Sequence, residues 1–386
     1  MASLVLAGLI FTNDSSIVTR GPANANASLN AAWQIVRDPA ADAGKLADAE
    51  SNARRTLARE PLNSVAMSLI GAIRERQGRP ADTEALMTAA VNINHRENIA
   101  DLWLFDHLLA QKNYDAAFLR ADALLRREAD FTSQLFPRLA GSLNDPNAIP
   151  PLARRLAKAP AWRNIFTRDI MDTYADSNGP FSLLSEIQKS GGQVTPEELT
   201  ALLTRLVANK RYDEAYLDWI LFLPDKMTTR IAYVYDGDFA GLPDSKPFGW
   251  NFADGASGVM EPPPDRPSDP ALHIIYDGVA NRNFPSQLLV VPPGRYQLKG
   301  EVMSGTPASA GRMEWVVTCE GQPTALAEAI APAGVAGQWS QFTADFTISA
   351  ACPAQRLTLR AIHAPQGADI DLWYDKVNIV PAGSAS

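Results

Sequence analysis

The residues whose chemistry is most worth following are aromatic rings and amides in the second half of the chain: Trp250, Tyr276, Asn283, Trp315, Trp339, Trp373 and Tyr374. Rings of this kind stack on the apolar faces of sugars when exposed, with amides and carboxylates reaching the hydroxyls. Trp315 shares one face of its strand with Val317 and Cys319, which assigns it to a core. Trp250 follows a loop and Asn283 lies in another, so these two lead the candidate surface set, which Tyr276 and Trp339 complete. Catalytic signatures are missing: the sequence contains no HExxH, GxSxG, Walker loop or dinucleotide fingerprint. Gly191-Gly192 is an isolated pair between helices. The carboxylates Asp369 and Asp371 stand two apart on one strand and face one side, rather than opposing each other across a cleft as a glycoside hydrolase requires. With only four histidines, spread over both halves, the expected chemistry is binding rather than catalysis. Trp103 and His107, at helical spacing, read as core.

Two elements of pattern must position these residues. Beyond Pro224 the apolar residues alternate with period two: Tyr296, Leu298, Gly300 and Val302; Met313, Trp315, Val317 and Cys319; Phe342, Ala344, Phe346 and Ile348; then Leu357 and Leu359. Short strands separated by turn signals predict an antiparallel sandwich, and the Pro-rich stretch Glu261 to Pro270 is excluded from any central strand. The stretch Ile231 to Trp250 reads as a strand that breaks at Asp236-Gly237-Asp238. The two cysteines, Cys319 at the end of one strand and Cys352 just before another, are either free core thiols or an inter-strand disulfide formed in an oxidising compartment.

The first half is helical. A 34-residue period aligns Gly44-Lys45-Leu46-Ala47-Asp48 with Gly78-Arg79-Pro80-Ala81-Asp82 and Lys112-Asn113-Tyr114-Asp115-Ala116. That is the length of a tetratricopeptide unit, two helices joined by a turn. Pro61 marks the end of a second helix, and His95 and Ala129 take its place one and two periods on. Later hairpins keep no strict period. Ile149-Pro150-Pro151 starts one helix, and Trp162, Phe166, Ile170 and Tyr174 form a buried stripe. Thr195 and Glu198 make a capping box for the next helix, and Arg211-Tyr212-Asp213 repeats the turn chemistry seen at Tyr114. Stacked helical pairs present a groove suited to a protein partner.

Composition bounds the partners. At 386 residues and 46% apolar content the chain can build two cores. A net charge of −8 repels phosphate backbones, so no nucleic-acid partner is expected, and Arg154, Arg155 and Lys158 read as a solvated helix face. The apolar stretch Ala2 to Phe11, about 15 Å long as a helix, is too short to cross a hydrocarbon core of about 30 Å. It fits the tail of a membrane anchor if the true start lies upstream, and an Asn/Ser/Ala-rich tether follows it. The alternative is an untargeted, partly helical N-terminus.

In order along the chain, Ala159-Pro160-Ala161-Trp162-Arg163, Arg211-Tyr212-Asp213-Glu214-Ala215-Tyr216, Pro247-Phe248-Gly249-Trp250, Leu272-His273-Ile274-Ile275-Tyr276-Asp277-Gly278, Pro293-Gly294-Arg295-Tyr296 and Leu372-Trp373-Tyr374-Asp375-Lys376-Val377 resemble one family. It comprises bacterial tetratricopeptide-repeat proteins of exopolysaccharide gene clusters that end in a carbohydrate-binding-like, galactose-binding-type jelly roll. The resemblance covers roughly residues 40 to 380. It implies an N-terminal tether (1–30), a helical repeat domain (31–224) and a β-sandwich (225–382). It also implies a non-enzymatic scaffold or adaptor, periplasmic or anchored in the inner membrane facing the periplasm. The repeats would dock a protein of a polysaccharide synthesis or export machine, and the sandwich would touch the glycan. The alternatives are a pure protein-interaction scaffold and, more distantly, a polysaccharide-modifying enzyme. If the first and last strands are neighbours, as the resemblance implies, Asp236, Asp238 and Asp375 could meet around a structural calcium. The competing reading makes Asp236-Gly237 a turn and Asp375 part of a bulge.

Overall fold

The computed structural model describes residues 23–174, 178–241, 247–252, 258–276, 284–305, 313–332, 335–361 and 370–383; the apolar N-terminal stretch, Asn283 and Asp369 lie outside the described residues. The chain is α then β, helices followed by an antiparallel β-sandwich. No helix among the described residues is long and apolar enough to cross a membrane.

Two compact units divide between Val194 and Thr195. The first holds α1 (Ala23–Arg37), α2 (Ala43–Arg59), α3 (Ser64–Arg76), α4 (Pro80–Ile93), α5 (Asn98–Ala110), α6 (Tyr114–Arg127), α7 (Thr132–Ser142), α8 (Ile149–Leu156), α9 (Arg163–Thr173) and α10 (Asn178–Lys189). The 34-residue recurrence is visible in the backbone. Helices end at caps Glu60, Asn94 and Glu128, each donating its N–H to the carbonyl four residues back, on Thr56, Ala90 and Leu124. The next helices begin with Ser64, Asn98 and Thr132. Consecutive repeats are tied at these ends: Ser64 Oγ donates to Glu97 Oε2 at 3.0 Å and Asn98 Nδ2 to Glu128 Oε1 at 2.8 Å. Within each hairpin the turn residue is left-handed, Gly78 at φ 70° and Lys112 at φ 59°. The next N–H returns to a carbonyl five residues back, Arg79 to Arg74 and Asn113 to Leu108, which is a Schellman closure. Lys210 at φ 60° repeats it, with Arg211 bonding Leu206.

Gly44 does not share this geometry. It lies inside α2, two residues after the cap Asp42, whose side chain accepts from the Lys45 N–H. The preceding loop is held instead by Arg76, which donates to the carbonyls of Val36, Asp38, Pro39 and Ala41. Apolar side chains such as Leu69, Ile73, Met87, Val91 and Trp103 fill the core between hairpins. In the predicted aromatic stripe, Trp162, Phe166 and Ile170 are buried, whereas Tyr174 lies beyond the end of α9 and is half-buried.

The second unit opens with the hairpin α11 (Pro196–Ala208) and α12 (Tyr212–Phe222), started by the predicted capping box at Thr195 and Glu198. The sequence reading placed this hairpin in the helical domain, with the boundary at 224/225. It clusters with the sandwich because its rings do: Tyr216 and Trp219 lie 5.3 and 5.5 Å from Phe248, and Trp219 lies 4.8 Å from Tyr235. After a short helix, Asp225–Thr228, the stretch expected as the first strand forms turns, with Asp236 and Phe239 both at φ 52°.

Nine strands follow among the described residues: β1 (Val259–Glu261), β2 (Ala271–Tyr276), β3 (Ser286–Leu289), β4 (Gly294–Ser304), β5 (Met313–Cys319), β6 (Ala325–Ile330), β7 (Trp339–Ile348), β8 (Gln355–Ala361) and β9 (Ile370–Pro381). They form a five-stranded sheet ordered β1-β2-β9-β4-β7 and a four-stranded sheet ordered β3-β8-β5-β6. Their facing sides meet in one core that includes Leu272, Leu298, Trp315, Phe342, Leu357 and Tyr374. Cys319 and Cys352 form a disulfide, with Cα atoms 5.4 Å apart, joining the end of β5 to the turn before β8.

Candidate functional site

Strand alternation decides what each sheet shows to its outer side. In the five-stranded sheet Leu272, Ile274, Tyr276, Ile370, Leu372, Tyr374, Leu298 and Val302 face the core. The intervening residues therefore face away from it. Register aligns one outward residue per strand: Val259 opposite His273, His273 opposite Trp373, Trp373 opposite Met303, and Met303 opposite Trp339. This row crosses all five strands. Ala271, Met303, Trp373 and Trp339 form a small apolar cluster of their own, separate from the main core.

Polar groups flank the row on both sides. The His273 ring stacks on Trp373, with centroids 3.8 Å apart and planes 6° apart. Its Nδ1 lies 2.6 Å from Glu261 Oε1 and its Nε2 lies 2.9 Å from Asp371 Oδ1. Both carboxylates keep an exposed side. At the other end the Pro-rich segment 262–270 brings Arg266 over the Trp339 ring, 4.2 Å from its centroid, within cation–π range. Arg266 donates to Asp375 Oδ2 at 2.8 Å and Glu301 Oε2 at 3.2 Å, and Trp339 Nε1 donates to Asp265 Oδ2 at 2.8 Å. Burial pushes the pKa of Asp375 up, against the Lys376 N–H and the nearby cations. At Glu301 burial also pushes upward, but hydrogen bonds from Lys376 and Arg266 outweigh it and hold the group below the usual carboxylate range.

Of the residues named from sequence, Trp339, Trp373 and Asp375 lie on this face. Trp250 is corrected: only 2% exposed, it is wedged between Phe239 (5.0 Å) and Trp315 (5.5 Å), with Nε1 donating to the Asp236 carbonyl. A ring enclosed this way has no face for a ligand. Tyr276 is also corrected, since it points into the core against Phe284. Asn283 is outside the described residues.

Asp236 and Asp238 interact with each other, but the three aspartates form no joint cluster. Asp236 accepts from Arg230 Nη1 at 2.8 Å and from the Gly241 N–H at 3.0 Å, and burial raises its pKa to about 6 against the charge of Arg230. Asp238 is exposed two residues on, and Asp375 pairs with a different arginine, Arg266. Among the described residues no three His, Cys, Asp or Glu side chains are gathered for a metal ion. The stretch expected as the first strand forms turns, yet it does lie beside β9: the Val377 N–H donates to the Gly237 carbonyl at 2.8 Å. A Cβ at Gly237 would overlap the Val377 carbonyl oxygen, so only glycine fits. The bulge reading holds as well. Glu301 pairs with Asp375 but Lys299 pairs with Asn378, and Lys376, at φ 54°, is the extra residue.

Sequence reasoning missed His273, Glu261 and Arg266, and considered Asp371 only as a partner of Asp369. One signal was present: His273 falls on the outward phase of a strand whose inward phase is Leu272, Ile274 and Tyr276. Arg266 reaches the face from 109 residues away from Asp375, a distance that no local pattern encodes.

No family model matches the chain, and no curated protein sequence matches it. Similar solved structures include carbohydrate-binding modules. The C-terminal family 22 module of Clostridium thermocellum Xyn10B is 15% identical, covering 42% of this chain and 100% of its own, at a TM-score of 0.30. The xylan-binding CBM22-1 domain of Paenibacillus barcinonensis Xyn10C is 13% identical, covering 39% and 94%, at 0.27. A β-1,3-glucan-binding CBM6 of Bacillus halodurans is 17% identical, covering 33% and 95%, at 0.21. At TM-scores below 0.5 these likenesses carry no argument about ligand or activity.

Proposed function

We propose that this chain is a non-enzymatic adaptor of the bacterial envelope, whose β-sandwich contacts polysaccharide through the outer face of its five-stranded sheet. Its helical hairpins, read as divergent tetratricopeptide-like repeats, would dock a protein of a polysaccharide synthesis or export assembly. The observation that carries the glycan reading is the outward row Val259, His273, Trp373, Met303 and Trp339, in which Val259 and Trp339 are open to solvent above the buried His273, Trp373 and Met303, bordered by exposed carboxylates and by Gln341. Apolar area with hydrogen-bonding edges is what a sugar ring requires. Binding rather than catalysis is favoured because Glu261 and Asp371 are both spent on one imidazole. A scaffold without sugar is the second reading, favoured by Arg266 covering Trp339 and His273 covering Trp373.

The test is calorimetric titration of the full chain with the exopolysaccharide of its source cell, beside Trp339→Ala. Saturable binding that falls at least about tenfold in the variant supports the glycan reading. Absence of binding by the unaltered chain at millimolar sugar supports the scaffold.

A further inference from the structure

The outer face continues well beyond the aromatic row. β4 and β7 pair without interruption from Met303 opposite Trp339 to Gly294 opposite Ile348. Along this ladder the outward pairs are Glu301 with Gln341, Lys299 with Thr343, Gln297 with Asp345, and Arg295 with Thr347. Every one of these side chains is exposed or half-exposed. Outward residues recur every second position, about 7 Å apart, so Met303 and Arg295 are separated by about 27 Å at an antiparallel rise of about 3.4 Å per residue. The far end is shaped. Arg295, Gln297, Asp345, Thr347, Val380 and Pro381 line a cavity of about 500 Å³, in which Gln297 Nε2 donates to Asp345 Oδ1 at 2.8 Å. β7 is the edge strand of its sheet, so no further strand of that sheet borders this side of the track.

We infer that the ligand is an extended polysaccharide segment lying along β4 and β7, held at one end by the aromatic row and at the other by a second sugar subsite in the Arg295, Gln297 and Asp345 cavity. This inference rests on the glycan reading of the preceding subsection. Its chemistry is that of a chain rather than a terminal sugar. Hydroxyl, amide and charged side chains are spaced along one track, each able to meet hydroxyls of a different sugar unit, and the two anchoring points lie too far apart for one ring to touch both. The half-exposed Trp339 supplies the apolar contact at one end. The cavity supplies a guanidinium, an amide and a carboxylate, the groups that pair with vicinal hydroxyls. Linking two weak subsites through one ligand raises affinity by effective concentration, without any new contact.

The experiment titrates the full chain with a size-graded series of fragments, from disaccharide upward, obtained by partial hydrolysis of the source cell's exopolysaccharide. Affinity is expected to climb with fragment length and to level once the fragment spans both ends. The double variant Arg295→Ala, Asp345→Ala is expected to keep the short-fragment binding that belongs to the Trp339 end, to lose any that belongs to the cavity, and to lose about tenfold on the longest. Both substituted side chains are exposed, so matching melting curves serve as the control for folding. Length-independent affinity, or a double variant that equals the unaltered chain on the longest fragment while Trp339→Ala still loses binding, overturns the extended-chain inference and leaves the glycan reading standing. Failure of the unaltered chain to bind polymer or any fragment overturns both.

Discussion

At the scale of single residues, the buried carboxyls make the strongest prediction. Asp218 is 6% exposed, its Oδ2 has no hydrogen-bond partner among the described residues, and burial with the nearby Glu214 raises its pKa to about 7 against Arg211. Burial likewise raises Asp106 and Asp236 to about 6, against the charges of Arg138 and Arg230 respectively. Unfolded aspartates titrate near 3.9. Between about pH 4 and pH 7 the native state therefore binds more protons than the unfolded one, and stability falls as pH rises through that window. Asp145, held well below the usual range by hydrogen bonds from Tyr114 and Lys112, acts in the opposite sense, but only in more acidic solution. Thermal melts are expected to show a higher midpoint at pH 5 than at pH 8, and Asp218→Asn should reduce the difference. An unchanged slope in that variant would remove Asp218 from the account. The same scale shows why the site was only half legible in the sequence. Trp250 was assigned to the surface because a loop precedes it, and adjacency to a loop does not say which way a ring points. Trp339 lies on the outer face, where tertiary pairing brings Arg266 over its ring and His273 onto Trp373 two strands away.

At the scale of elements, helix ends carry most of the repeat signal. The caps at Glu60, Asn94 and Glu128 and the left-handed turns at Gly78 and Lys112 recur at the spacing the sequence shows. Gly44 matches that spacing in letters but not in conformation, because Arg76 closes the first loop from outside. Lys112 and Lys210 hold a conformation that costs a residue with a Cβ about 1 kcal/mol. Each of Lys112→Gly and Lys210→Gly is expected to stabilise the protein by about 0.5 kcal/mol after the greater chain entropy of glycine is set against that relief. Lys112 also bonds Asp145, an exposed pair of small weight, so Lys210→Gly is the cleaner measurement. A loss of stability in chemical denaturation would contradict the strain argument. Strands β4, β7 and β8 were readable because each alternates cleanly, and β5 from its inward phase Met313, Trp315 and Val317. Residues 231–241 were not, since their apolar alternation is used to drop Val234 and Phe239 into the core from successive turns.

At the scale of the whole molecule, the order of α then β was legible from the change of period, whereas the boundary between units was not. Pro224 looks like a natural break, yet aromatic packing across it joins the α11–α12 hairpin to the strands. The disulfide acts at this scale too. Cys319 and Cys352 are 33 residues apart, and closing a loop of that length restricts the unfolded chain by about 4 kcal/mol in the entropy model. Reduction is expected to lower the melting midpoint of the sandwich unit by roughly 10 °C, and a midpoint indifferent to reductant would show that the staple is redundant.

β9 is the last strand in sequence, yet it lies between β2 and β4 in the middle of its sheet. During synthesis the β1–β2 and β4–β7 ladders must therefore wait, each with an unsatisfied inner edge, until β9 has left the ribosome. Such edges invite pairing with other chains, which makes the nascent protein a natural client for chaperones. A version ending at Ala361 is expected to aggregate during expression instead of accumulating as a smaller soluble domain, and recovery of a cooperatively melting truncation would show that the ladders can close without their keystone.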